Sequence, residues 1–135
     1  MTYRNILVPV DLSHPETGRT ILRIAREIGG PEAKIMALFV FIDIPGFVAA
    51  EMPDNVIEEN MARARGELEE LAAEVGADAI VRSGHATTEI LECADNIAAD
   101  LIVVGSHRPG LQDYLIGSTA ARVVRHAKCS VLVHR

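Results

Sequence analysis

The sequence predicts an α/β fold of the doubly wound type, with a five-stranded parallel sheet and four helices. Short unbroken apolar runs alternate with longer amphipathic stretches five times along the 135 residues. Strands that are buried on both faces of a parallel sheet have such continuous apolar runs, and the helices between them supply the crossovers. Right-handed crossovers leave few strand orders open. We expect the order 3-2-1-4-5, with 2-1-3-4-5 as the near alternative.

Each strand is predicted from its own apolar run, and the first helix from its opening sequence. The predicted strands are residues 5–10, 34–42, 78–82, 100–104 and 130–133. Ser13-His14-Pro15-Glu16 has the pattern of a capping box, in which the Ser13 hydroxyl and the Glu16 carboxylate bind free backbone amides. The helix that follows should end near Gly29-Gly30.

The remaining helices are predicted from apolar residues that recur every three or four positions. A third helix is expected from about 88 to 98, with Cys93 as a small core residue, and a fourth from 118 to about 127. Long connections are expected at residues 43–53 and 106–117, of which the first is a candidate contact surface. The second helix should turn six residues inward: Ile57, Met61, Ala64, Leu68, Leu71 and Val75.

Composition limits the possible partners and the compartment. The net charge of −6 makes a nucleic acid or an anionic membrane an unfavourable partner. Two cysteines, far apart in sequence, are typical of a reducing cytoplasm. No apolar run approaches the roughly 18 residues of a membrane span, and the apolar run at the N-terminus is too short for a signal peptide. We expect one cytoplasmic domain over residues 1–135.

The segment from Gly105 to Thr119 is a candidate phosphate cradle. A glycine at the end of a buried strand lets backbone approach a ligand, and free amides at a helix start attract anions. His107 and Arg108 lie between them and would add charge-assisted contacts to phosphates. The alternative is that Ser118 is a plain N-cap after a turn glycine.

Asp11 follows the first strand, at the expected switch point of the sheet. There a carboxylate either contacts a ligand or caps the turn that follows it. The five histidines are scattered one per element, so no metal site is predicted.

Three segments carry a more specific signal: residues 8–11 (Val-Pro-Val-Asp), residues 100–107 (Asp-Leu-Ile-Val-Val-Gly-Ser-His) and residues 117–133, which begin Gly-Ser-Thr-Ala-Ala-Arg. Together they resemble the universal stress protein family over essentially the whole chain. The resemblance implies ATP as the ligand, with AMP as the alternative and Mg²⁺ as an optional companion ion. It implies Pro9, Val10 and Asp11 at the adenine and Val40 as a backbone contact at the end of the second strand. It implies Gly105, Gly117, Ser118 and Thr119 at the ribose and phosphates, with Val104 as a further nucleotide-binding residue.

The loop departs from the Gly-x2-Gly-x9-Gly-Ser/Thr signature of the ATP-binding branch of that family. Eleven residues separate Gly105 from Gly117, where the signature has twelve, and Arg108 replaces the second glycine. Because Arg108 precedes Pro109, it favours extended backbone and does not mimic a glycine at positive φ. Gly110 is a candidate for that role. The Ser-His-Arg-Pro loop is similar to a variant in a bacterial branch of small stress proteins.

No catalytic constellation accompanies the cradle. Neither lysine, Lys34 or Lys128, lies in a phosphate loop, and no carboxylate pair for Mg²⁺ is evident. A nucleotide-binding regulatory module is therefore the favoured interpretation, rather than an enzyme. The alternatives are a slow ATPase or autophosphorylating protein, and a stress protein that binds no nucleotide and acts through partner contacts.

The last predicted strand is short and apolar, and in the expected order it lies at an edge of the sheet. An apolar edge invites pairing with another chain unless the terminal charges protect it. The family resemblance also implies a homodimer through Val131–Val133.

Overall fold

The computed structural model describes residues 3–42, 46–53, 55–106 and 117–135. The described residues form five strands and five helices. The strands are β1 (Asn5–Pro9), β2 (Lys34–Phe41), β3 (Asp78–Ser83), β4 (Leu101–Gly105) and β5 (Ser130–His134). The helices are α1 (Pro15–Gly29), α2 (Gly46–Ala49), α3 (Val56–Ala73), α4 (Ala86–Asn96) and α5 (Ser118–His126).

The sheet is parallel, with the order β3-β2-β1-β4-β5, which confirms the predicted fold class and strand order. β1 lies at its centre, and its side chains alternate between two core layers. Ile6 and Val8 pack with residues of α1 and α3 on one face, whereas Leu7 packs with residues of α4 and α5 on the other. This burial on both faces explains why β1 is a continuous apolar run.

The predicted capping box is wrong. His14 is the N-cap of α1, no side chain caps the helix, and Pro15 is its first residue. A residue that precedes proline is pushed out of the helical region, and His14 accordingly has φ −130° and ψ 70°. Helix α1 therefore begins one residue later than a Ser13 cap requires, and Glu16 falls outside the capping position.

Two predictions about the connection from β2 to β3 also need correction. The connection after β2 contains the four-residue helix α2, so the described chain has five helices rather than four. Ile57 is not turned inward but is 36% exposed. The buried residues of α3 begin at Ala64, so the inward face of this helix is confined to its later turns.

Two helices end in the same Schellman motif, although only one of them has the usual glycine. In α3, Gly76 has φ +67°, and the Ala77 amide donates to the Ala72 carbonyl at 2.9 Å. In α4, Ala98 takes the glycine position with φ +53°, and the Ala99 amide donates to the Ala94 carbonyl at 2.9 Å. A residue with a Cβ is strained in this conformation.

Arg26 joins the end of α1 to the turn after α3. Its guanidinium donates to the carbonyl oxygens of Val75 (2.9 Å), Gly30 (2.8 Å), Ala33 (2.9 Å) and Gly76 (3.3 Å). One side chain therefore ties the turn after α1 to the turn after α3.

Candidate functional site

A cleft of about 440 Å³ opens at the carboxyl ends of β1, β2 and β4. The chain leaves β1 into α1 on one face of the sheet and leaves β4 toward α5 on the other. Diverging connections of this kind leave a crevice at the switch point, where ligands of doubly wound proteins bind. The volume lies within the range of small-molecule sites.

The cleft brings together seven of the eleven residues that the sequence analysis singled out. His107 and Arg108 lie outside the described residues. Gly117 and Ser118 are described but do not line the cleft, whereas their neighbour Thr119 does. The seven that line it are Pro9, Val10, Asp11, Val40, Val104, Gly105 and Thr119.

Asp11 forms the turn between β1 and α1. Its Oδ1 accepts a hydrogen bond from the Ser13 amide at 2.9 Å, and its carbonyl accepts one from the His14 amide at 3.0 Å. Asp11 therefore caps the turn after the first strand, as one of the two interpretations of the sequence expected. The side chain is nevertheless exposed on the cleft wall, and an ionised carboxylate has further acceptor sites free.

Thr17 and Gly18 of α1, which the sequence analysis did not single out, also line the cleft. A Cβ on Gly18 would lie 2.7 Å from Val10 Cγ1, so only glycine lets α1 approach the end of β1 this closely. A Cβ on Gly105 would lie 2.9 Å from Thr17 Cγ2. A glycine in mid-helix is a sequence signal of a close contact, but it does not say which element the helix approaches.

The start of α5 lies beside the cleft, which Thr119 and Ala120 line. Gly117 is the N-cap, with φ −59° and ψ 156°, and no side chain of the described residues caps the helix. Ser118 is therefore the first helical residue and not the plain cap that the sequence left open. Its uncapped amides make this end of the helix electropositive.

Charge is sparse along the described walls of the cleft. Asp11 and His14 are the ionisable groups among the described lining residues, and no lysine or arginine is among them. No group of three or more His, Cys, Asp or Glu side chains in the described ranges could hold a metal ion. None of the helices formed by these residues is both long and apolar enough to cross a membrane.

The fold and the cleft define a doubly wound α/β protein with a cleft of small-molecule size at its switch point. Residues 2–135 match the universal stress protein family, so the chain belongs to that family. A universal stress protein A homolog of Coxiella burnetii is 33% identical in a match that covers 98% of this chain and 95% of the relative. A universal stress protein of Methanocaldococcus jannaschii is 31% identical in a match that covers 97% of this chain and 81% of the relative.

Solved structures share the fold. The universal stress protein UspA from Lactobacillus plantarum superposes with a TM-score of 0.79 at 26% identity, covering 100% of this chain and 99% of that one. A universal stress protein in complex with cAMP has a TM-score of 0.72 at 19% identity, covering 100% and 99%. The universal stress protein from Archaeoglobus fulgidus in complex with dAMP has a TM-score of 0.59 at 21% identity, covering 100% of both chains.

Proposed function

We propose that the cleft binds an adenine nucleotide, and that the protein is a nucleotide-responsive regulatory module. The observation that carries this proposal is the meeting of Asp11, Gly105 and Thr119 around one cleft, although they come from three separate parts of the chain. The structures determined with cAMP and dAMP support it, since both ligands combine adenine, a sugar and a single phosphate.

In this proposal the base lies at the end of β1 and β2. The walls there are apolar, with Val10, Leu38 and Val40 among the lining residues, and suit a flat purine. Asp11 is the acceptor beside them, and adenine offers its exocyclic amino group as a donor. A carboxylate at this position favours adenine over hypoxanthine, whose oxygen at the same place would be repelled.

The phosphates then lie toward Gly105, Thr119 and the electropositive start of α5. ATP is the nucleotide we propose, with AMP as the alternative. Since no lysine or arginine is among the described lining residues, the charge of a triphosphate calls for a further cation. Mg²⁺, or His107 and Arg108 in their predicted role, would supply it.

Calorimetric titration with ATP and AMP, each with and without Mg²⁺, tests the proposal. We expect Asp11→Asn to weaken nucleotide binding by about tenfold while preserving the turn, because asparagine also accepts the Ser13 amide. Glu16→Gln removes the same charge from an exposed site on α1 outside the cleft and should leave binding unchanged. If neither nucleotide binds below millimolar concentration, the protein belongs with stress proteins that act through partner contacts alone.

The proposed module is a homodimer that pairs through β5. β5 lies at the edge of the sheet, and the Ser106 amide donates to the His134 carbonyl at 2.7 Å. Since backbone groups alternate sides along a strand, those of Val131 and Val133 point away from β4. Val131→Pro removes one outward amide and should convert a dimer into a monomer by light scattering, whereas Val131→Ala should not.

A slow ATPase or autophosphorylating activity is the second candidate. It is favoured by the Ser106 and Thr119 hydroxyls, which both line the cleft. Incubation with γ-labelled ATP that yields neither phosphoprotein nor turnover above the buffer rate would discard it.

A further inference from the structure

Exposed large apolar side chains are concentrated in one part of the described chain. Of the five exposed large apolar side chains among the described residues, four lie between residues 42 and 57, and only Val124 lies elsewhere. Phe47 is 78% exposed and Val48 is 36% exposed, both in α2, and Ile57 in the first turn of α3 is 36% exposed. Scattered exposed apolar residues are normal on a protein surface, but a local concentration marks a contact surface.

The charged residues beside these exposed apolar side chains are all acidic. We call residues 46–53 and 55–59 the rim segment. Its charged residues are Glu51, Glu58 and Glu59, all of them exposed, and it contains no lysine, arginine or histidine. The only side-chain bond of these carboxylates to another described residue is from the Asn55 amide to Glu59 at 2.8 Å, which leaves the negative charge in place.

The backbone of the rim segment is ordered by its own hydrogen bonds. The Glu51 amide donates to the Val48 carbonyl and the Val56 amide to the Pro53 carbonyl, each at 3.1 Å. The first of these bonds closes a turn at the end of α2, and the second closes a turn at the start of α3. Ile42, which precedes the segment, is 76% exposed and also lines the cleft.

We propose that the rim segment is a docking site for a basic amphipathic helix of a partner protein. The apolar face of such a helix would cover Phe47, Val48 and Ile57, and its lysines or arginines would pair with Glu58 and Glu59. The charge selects this occupant. An anionic membrane surface would be repelled, and a second copy would set one acidic rim against another.

The test uses a fluorescein-labelled peptide of about 18 residues with leucine and lysine at helical spacing. Its control has the same leucines with every lysine replaced by glutamate. Fluorescence anisotropy should show saturable binding of the lysine peptide only, weakened about tenfold or more when salt is raised from about 50 to about 500 mM. Equal binding of the two peptides, or no binding of either, overturns the proposal.

Variants then locate the contact. Phe47→Ala should weaken peptide binding by about tenfold or more, and Glu58→Lys/Glu59→Lys by a similar factor. The controls are Val124→Ala, the other exposed apolar side chain, and Glu69→Lys/Glu70→Lys, the same charge change farther along α3. Controls that weaken binding as much as the rim variants overturn the assignment.

Other occupants give different outcomes. A concentration-dependent rise in mass that Phe47→Ala abolishes would assign the surface to a second copy of the chain. Flotation of the protein with phosphatidylglycerol vesicles would assign the surface to a membrane. Either result overturns the proposal. A measurement of AMP binding separates the docking proposal from the proposed function of the cleft. Phe47→Ala should leave the affinity for AMP unchanged. A variant that lost both AMP binding and peptide binding would place the rim segment in the nucleotide site instead.

Discussion

Substitution of Gly105 by alanine tests the packing of α1 and the nucleotide proposal together. The added Cβ would lie 2.9 Å from Thr17 Cγ2, about 1 Å inside normal carbon contact. Gly105 ends the buried strand β4, which lies between β1 and β5, and threonine is stiff at χ1, so neither side yields freely. Such overpacking costs about 1–3 kcal/mol, and we expect a loss of about 2 kcal/mol in the free energy of unfolding.

A second substitution separates the two roles of the glycine. Thr17→Ser removes the methyl group that the new Cβ would strike and keeps the hydroxyl, at a cost below about 1 kcal/mol for one half-buried methyl. The double variant Gly105→Ala/Thr17→Ser should therefore recover most of the lost stability. Because the two side chains share one contact, the effects should be non-additive by about 1 kcal/mol or more.

Urea unfolding followed by far-ultraviolet circular dichroism measures the stabilities, since the chain has no tryptophan. Calorimetry with AMP measures binding. We expect affinity to stay at least about tenfold lower in the double variant, because its Cβ still lies where the ligand approaches the backbone. An unchanged stability of Gly105→Ala would refute the packing argument. Recovery of affinity together with stability would show that the glycine only spaces α1 from β4.

Three further predictions concern stability and thiol chemistry. Arg26→Ala should lower the free energy of unfolding by about 2–3 kcal/mol in urea titrations, because four backbone carbonyls lose a charged donor, whereas exposed Arg23→Ala should change it by less than about 0.5 kcal/mol. Ala98→Gly should raise the thermal midpoint, since it relieves about 1 kcal/mol of strain at φ +53°; a lower midpoint would contradict this. Burial raises the pKa of both the Cys93 and Cys129 thiols. The thiols of the folded protein therefore stay protonated above the ordinary thiol pKa, and the free energy of unfolding should fall as the pH rises from that ordinary pKa toward the raised one. A colourimetric thiol reagent should modify Cys129 slowly and Cys93 only on unfolding, and rapid reaction of both in the native protein would be the contrary result.

The fold was predictable from sequence because the buried strands of a parallel sheet have unbroken apolar runs. Ile6 and Leu7 of β1 pack in opposite core layers, so both positions have to be apolar. The short helix α2 escaped prediction for the opposite reason. Four residues are too few to show a helical period, and Phe47 and Val48 pack on no core that would impose one.

The position of the cleft was predictable from the topology, but its close packing was not. Pro9, Val40 and Val104 were expected at the site because the chain resembles a known family, and they line the cleft since parallel strands end at one edge of the sheet. Thr17 and Gly18 were missed, because their part in the cleft depends on how closely α1 approaches β1 and β4. That approach depends on ångström-scale contacts, which periodicity does not encode.

Asp11 shows why two interpretations of one residue need not compete. Its Oδ1 is engaged by the Ser13 amide, which fixes the carboxylate on the cleft wall before any ligand arrives. A ligand contact made by a fixed acceptor costs less side-chain entropy than one made by a free side chain. If Asp11 does contact adenine, the turn therefore strengthens that contact. This is why Asp11→Ala, which loses the turn together with every polar side-chain atom, should weaken binding more than Asp11→Asn, which keeps the turn and loses the charge and one acceptor oxygen.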